Sequence, residues 1–256
     1  MINVKNKKIL LLCFLILIGM TSEVCSELTY WKFPPPQPPE RYGNILINRS
    51  SMNAGVKPAT FSHWSHRVKH TCRVCHFELG FKMKLNTTVI TEEANKKGDY
   101  CGACHNDKIA FGHTEDNCDK CHNGDIDYGK EKFKALYDLP TAKNGNTINW
   151  VKALEYGLIN PKTYLQDSTE QFKSKKIINI FPKWRWVYSI AYFSHEIHGK
   201  WLGCSNCHTE IFEYAPKATE GLRMLNIIDN QYCGVCHGKV AFPVNDCRRC
   251  HPSINF

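Results

Sequence analysis

Twelve cysteines in this sequence form six pairs. In each pair two residues separate the thiols, and a histidine follows at once. The groups are Cys72, Cys75 and His76; Cys101, Cys104 and His105; Cys118, Cys121 and His122; Cys204, Cys207 and His208; Cys233, Cys236 and His237; and Cys247, Cys250 and His251. That spacing suits c-type haem attachment: two thiols bond the vinyl groups on one edge of a porphyrin, and the next residue carries an imidazole to the iron. Cys₄ zinc sites, disulfides and thioredoxin-like redox pairs also use paired cysteines, but none needs a histidine after every pair. Histidine makes up 12 of 256 residues, so six coincidences have odds on the order of 10⁻⁸. Six covalent haem c groups are implied.

Six histidines remain: His63, His66, His70, His113, His195 and His198. A low-spin electron-transfer haem takes two strong axial ligands, whereas a catalytic haem keeps one position open. Six spare imidazoles for six irons favour bis-His coordination. Their placement exposes an internal repeat. Phe61-Ser62-His63 with His66 precedes the first motif, and Phe193-Ser194-His195 with His198 precedes the fourth. Tyr100-Cys101-Gly102 matches Tyr232-Cys233-Gly234, and Ile109-Ala110-Phe111 matches Val240-Ala241-Phe242. The chain therefore reads as a tandem duplication of a three-haem unit.

These motifs resemble the triheme c7-type cytochromes, a branch of the cytochrome c3 superfamily, over about Gly55–Asn123 and Val187–Pro252. The resemblance implies two compact wraps around three haems each, opened by a short β-hairpin. It also implies distal ligands: His63 opposite His76, His66 opposite His105, His195 opposite His208, and His198 opposite His237. His113, in Phe111-Gly112-His113, offers a ligand opposite His122. The second unit has Phe242-Pro243-Val244 there and no histidine. Some c7-type units use a methionine ahead of the second motif, which points to Met224 opposite His251. His70, reaching across from the first unit, is the rival, and Met224 could instead be an apolar packing residue within Leu222–Ile228.

Around these residues the chain divides into a signal peptide at 1–26, a Pro-rich segment at 27–54, unit one at 55–128, a haem-free insert at 129–183 and unit two at 184–256. Lys5, Lys7 and Lys8 precede an apolar stretch, Ile9–Met20, of secretory h-region length. Cleavage near Ser26 is favoured over lipidation at Cys25, because Ser22-Glu23-Val24 makes a poor lipobox. The mature chain then works outside the cytoplasm: the periplasm, the outer membrane or beyond. Pro34-Pro35-Pro36 begins a stiff spacer or strap. Asn149–Tyr156 before Gly157 reads as a capped short helix, and Trp186–Phe193 as a strand leading to His195. Lys130–Lys134 and Lys173–Lys176 read as solvated charge. The insert either packs over unit one or shapes a partner surface.

The fold class expected is a multihaem cytochrome c with few regular elements: short helices at the Cys-x-x-Cys-His segments, small hairpins and long loops. The mature chain has about 38 residues per haem, so the porphyrins form much of the apolar core and the apo-chain should not fold. The formal charge of +9 becomes +7 once residues 1–26 leave with three lysines and one glutamate. Each oxidised haem brings about −1, two propionates against an Fe(III) core of +1, so six bring the total near +1. Nucleic-acid binding thereby loses its motive. The function expected is electron transfer or storage rather than catalysis, with a quinol-oxidising donor and a downstream cytochrome or terminal reductase as redox partners. Alternatives are a multihaem reductase with one open haem, or a subunit of a conducting filament or outer-membrane conduit. Membrane association would come through a partner or through Cys25.

Overall fold

The computed structural model describes residues 33, 35–166, 174–181, 189–208, 210–214 and 221–254. The expected signal peptide and part of the strand expected at Trp186–Phe193 lie outside them. Residues from Pro36 onward form one contact-dense unit. No helix among the described residues is long and apolar enough to cross a membrane.

Regular structure is sparse. Two antiparallel hairpins pair β1 (Asn44–Ile47) with β2 (Ala59–Ser62), and β3 (Ile177–Ile180) with β4 (Ala191–Ser194). Their registers correspond: Ile45 faces Phe61 in one, and Ile178 faces Phe193 in the other. The first strand of each hairpin comes from haem-free sequence, the Pro-rich segment in one case and the insert in the other. The short helices α1 (Arg49–Asn53), α2 (His63–Arg67) and α3 (Glu92–Lys96) follow in the first half. After them come α4 (Cys118–Cys121), α5 (Trp150–Glu155), α6 (His195–Gly199), α7 (Met224–Ile228), α8 (Gly234–His237) and α9 (Cys247–Cys250). Val74–Glu78 is a π-turn, and Tyr100–Ala103, Lys130–Leu136 and Cys204–Asn206 are 3₁₀ turns. Each haem motif thus sits on one helical turn.

The apolar core comes largely from the insert. Phe133, Ile148, Trp150, Ala153 and Ile159 cluster with Trp64 of the first unit and Trp201 of the second. Phe133 is 1% exposed, and its ring meets Trp64 edge-on at 5.2 Å. The lysines flanking Phe133 point to solvent, so Lys130–Lys134 is both a charged face and the carrier of a core aromatic. Helix α5 matches its expected span. The Asn149 side chain accepts from the Lys152 N–H, and Gly157 ends it at φ +68°. Asn146, buried beneath, accepts from Trp150 Nε1 at 3.2 Å.

The N-terminal segment is anchored on both units. Arg41 forms a bidentate ion pair with Asp127, and the Tyr42 hydroxyl donates to the Ala241 carbonyl at 2.6 Å. The units also touch directly: the Arg73 N–H donates to the Trp201 carbonyl at 3.1 Å.

Candidate haem sites

The hairpins exist to aim histidines. His63 follows β2, and the Gly43 carbonyl before β1 accepts both its backbone N–H at 3.1 Å and its ring Nδ1–H at 2.7 Å. His195 follows β4, and the Lys176 carbonyl accepts its N–H at 3.0 Å and its Nδ1–H at 3.2 Å. One turn on, His66 Nδ1 donates to Ser62 O at 3.0 Å and His198 Nδ1 to Ser194 O at 2.8 Å, both to the residue four back. Phe61 stacks on His66 at 4.3 Å and meets His63 edge-on at 4.9 Å. Phe193 repeats this with His198 and His195 at 4.3 Å and 4.8 Å.

The histidines of the six motifs are tied in the same manner. A single α-type turn, for example His105 N–H to Cys101 O at 2.9 Å, sets both cysteines and the histidine on one face. Nδ1–H then donates to a carbonyl just downstream: His76 to Phe81, His105 to Phe111, His208 to Phe212 and His237 to Phe242, over 2.8–3.0 Å. His122 uses the Lys57 carbonyl at 2.9 Å and His251 the Ser189 hydroxyl at 2.8 Å. A ring whose Nδ1–H is committed this way keeps its Nε2 lone pair free for a metal. Burial pushes His63 down to about 3 and His66 and His237 to about 4, which holds those three rings neutral.

The motif glycines have a mechanical reason. A Cβ on Gly102 would lie 1.8 Å from the Asn95 carbonyl of α3, and one on Gly234 would lie 1.9 Å from the Ile227 carbonyl of α7. Each helix therefore seats its C-terminal half directly on a haem motif. Tyr100 and Tyr232, just before these motifs, share the left-handed region at φ +47° and +51°.

Three imidazole pairs face each other across a gap. The ring centroids are 6.5 Å apart for His63 and His76, 6.3 Å for His66 and His105, and 6.2 Å for His198 and His237. Two metal–nitrogen bonds of about 2 Å plus two half-rings require roughly 6.3 Å. The spacing suits an iron between each pair. No disulfide among the described residues joins any of the twelve motif cysteines. Among the described residues no three His, Cys, Asp or Glu side chains converge on a free-ion site, as a Cys₄ zinc centre would require.

Residues 59–123 and 191–252 match the family described as cytochrome c7 and related cytochrome c. The chain carries two cytochrome c7-type domains. It is similar to the structure of the C-terminal hexaheme fragment of GSU1996, with 28% identity over 86% of this chain and 99% of that one, and a TM-score of 0.28. It is also similar to the dodecaheme cytochrome c GSU1996 itself, with 24% identity over 83% of this chain and 75% of that one, and a TM-score of 0.28. No curated protein matches it.

The remaining histidines of the c7-type domains are placed differently. No ring contact joins His195 to His208, or His113 to His122, among the described residues. His208 instead stacks on Tyr214 at 4.5 Å. The Glu92 carboxyl, at the start of α3, is held below its usual range first by Lys96 and more weakly by His113 and His122. His113 and His122 thus share a neighbourhood. Met224 opens α7, half-buried, at the position that Glu92 takes on α3. His70 bridges by its backbone to Lys162. Burial, then Lys162 and Lys69, lower its pKa, and its Nδ1 is buried without a hydrogen-bond partner. None of these neighbours belongs to the second domain.

The sequence reading missed the acceptors. Ser62 and Ser194, four residues before His66 and His198, were legible from helical spacing. Gly43, Lys57, Lys176 and Ser189 lie far from their histidines in sequence and carry no local signal.

Proposed function

We propose that this chain is an exported electron carrier holding six covalent haems, three in each c7-type domain. The observation that carries the reading is the set of three imidazole pairs at 6.2–6.5 Å, each ring held at Nδ1 by a backbone carbonyl. Haem c supplies reversible one-electron Fe(III)/Fe(II) exchange. The chain's residues hold and orient the groups. Two thiols per motif anchor each one, the following histidine ligates it, and His63, His66, His195, His198 and His113 complete five coordination spheres. Met224 completes the sixth. Its support is the repeat: α7 seats on its motif as α3 does, and α3 begins beside His122, the counterpart of His251. His70 is the competitor for that position.

Saturated irons leave no place for substrate, so the function is transfer and storage between redox partner proteins. A quinol-oxidising donor and a downstream cytochrome or terminal reductase have the matching chemistry. Residues 1–26 direct export to the periplasm. The test is the denatured mass of the matured protein together with its electronic spectrum. Six haem additions and a wholly low-spin spectrum are expected. Five or fewer additions would overturn the count, and a high-spin haem would redirect the assignment to a reductase.

A further inference from the structure

We propose that Arg67 is a fixed positive charge at the seam between the two c7-type domains. In this role it raises the reduction potential of one haem on each side, the haem held by His76 and the haem held by His237. The proposal rests on the six-haem reading above.

Arg67 ends α2, four residues after His63, and so shares its helix face. Its guanidinium carbon lies 5.2 Å from the Trp150 ring centroid and 5.1 Å from that of Trp201. Trp150 comes from the insert. Trp201 belongs to the second domain, where its N–H donates to the His198 carbonyl at 3.0 Å. Both indoles are buried, at 8% and 7% exposure. A planar cation between two aromatic faces is held by cation–π attraction and loses most of its rotamer freedom. Among the described residues no carboxylate side chain pairs with it, and the two indoles hold the charge in place.

The reach of that charge spans both domains. One turn before Arg67 on the same helix, His63 faces His76 at 6.5 Å, and three residues before Trp201, on which Arg67 lies, His198 faces His237 at 6.2 Å. The device is not part of the repeat. Gly199 occupies the position of Arg67 in the second domain, and Lys69 that of Trp201 in the first. A cation that served one domain's own packing would be expected in both copies, whereas one that serves the seam is needed once.

The consequence is electrostatic. Fe(III) haem carries one more positive charge than Fe(II), so a nearby fixed cation favours the reduced form. Among the bis-His haems, electrons delivered by an external reductant would then settle at the seam, where the domains must exchange them.

The experiment is an anaerobic potentiometric titration of the holoprotein with dithionite, following individual haem signals by NMR. In the wild type the haem of His76 should reduce before that of His105, and the haem of His237 before that of His208. In Arg67→Met, with six haems still attached and low-spin, the reduced-to-oxidised ratio of the His76 and His237 haems at fixed potential should fall about tenfold. That corresponds to about 59 mV for a one-electron couple. Arg67→Lys should restore most of it. Unchanged ratios in an intact six-haem Arg67→Met protein overturn the proposal alone. If that variant does not mature, the wild-type order decides, and late reduction of both seam haems overturns it. A wild-type chain with fewer than six haems would instead overturn the carrier reading and this proposal with it.

Discussion

A histidine becomes a dependable haem ligand when its other nitrogen is already committed. His63 and His195 each give two hydrogen bonds to a single carbonyl, Gly43 or Lys176, which fixes both ring position and tautomer. His63→Ala or His195→Ala should therefore turn one haem high-spin while leaving all six attached, since attachment needs only the Cys-x-x-Cys-His motif. Wholly low-spin spectra in both variants would remove these two from the ligand set. Met224 carries a different signature. A thioether donates less charge to Fe(III) than imidazole does and raises the potential. Oxidised protein should show a weak sulfur-to-iron band near roughly 700 nm, and Met224→His should abolish it and lower the potential of that haem. Absence of the band, with low-spin character lost in His70→Ala, would move the ligand to His70.

At the scale of elements, no helix or hairpin among the described residues is long enough to be stable alone, and each is held by what it seats upon. Helices α3 and α7 press carbonyls onto Gly102 and Gly234. The Lys130–Leu136 turn is held by Phe133, packed between Trp64 and Tyr137 at 5.2 and 5.9 Å, with Leu136 partly buried against the same cluster. Phe133→Ala should lower stability by about 3–5 kcal/mol, measured by denaturant unfolding of the holoprotein. A loss below about 1 kcal/mol would mean that the insert is not part of the core. Because Trp64 and Trp201 come from different domains, the same change should loosen their seam.

For the molecule as a whole, burial of neutral imidazoles sets the acid limit. His63, His66 and His237 lie at about 3, 4 and 4 when folded, against about 6.5 in an unfolded chain. The folded state binds fewer protons, so this stabilisation is complete above pH 6.5 and is lost as pH falls toward 4 and then 3. Ligation favours the neutral ring further. The low-spin spectrum of the holoprotein should hold down to pH 6.5 and give way to high-spin features only well below it. High-spin features emerging at pH 6.5 or above would contradict the buried-pair geometry. The insert gives the molecule its other cohesion, since five of the seven residues in the buried cluster come from residues 129–183.

Local pattern alone made much of this protein legible. The Cys-x-x-Cys-His spacing is a covalent requirement of the cofactor, the repeat is written in matched residues, and α5 is bounded by a cap and a glycine that act within one turn. Each depends on residues close in sequence, where chain geometry leaves little choice. What only the tertiary structure decided involves residues that meet after the chain returns. Gly43 and Lys176 accept from histidines about twenty residues away, and Lys57 from one 65 residues away. Arg67 finds its two indoles 83 and 134 residues onward. The sequence left the insert either packing over unit one or shaping a partner surface, and only the structure puts Phe133 and Trp150 in one cluster with Trp64 and Trp201. Backbone carbonyls carry no sequence signature, and an arginine's partner depends on which surfaces come together. Those choices belong to packing, which no short window of sequence contains.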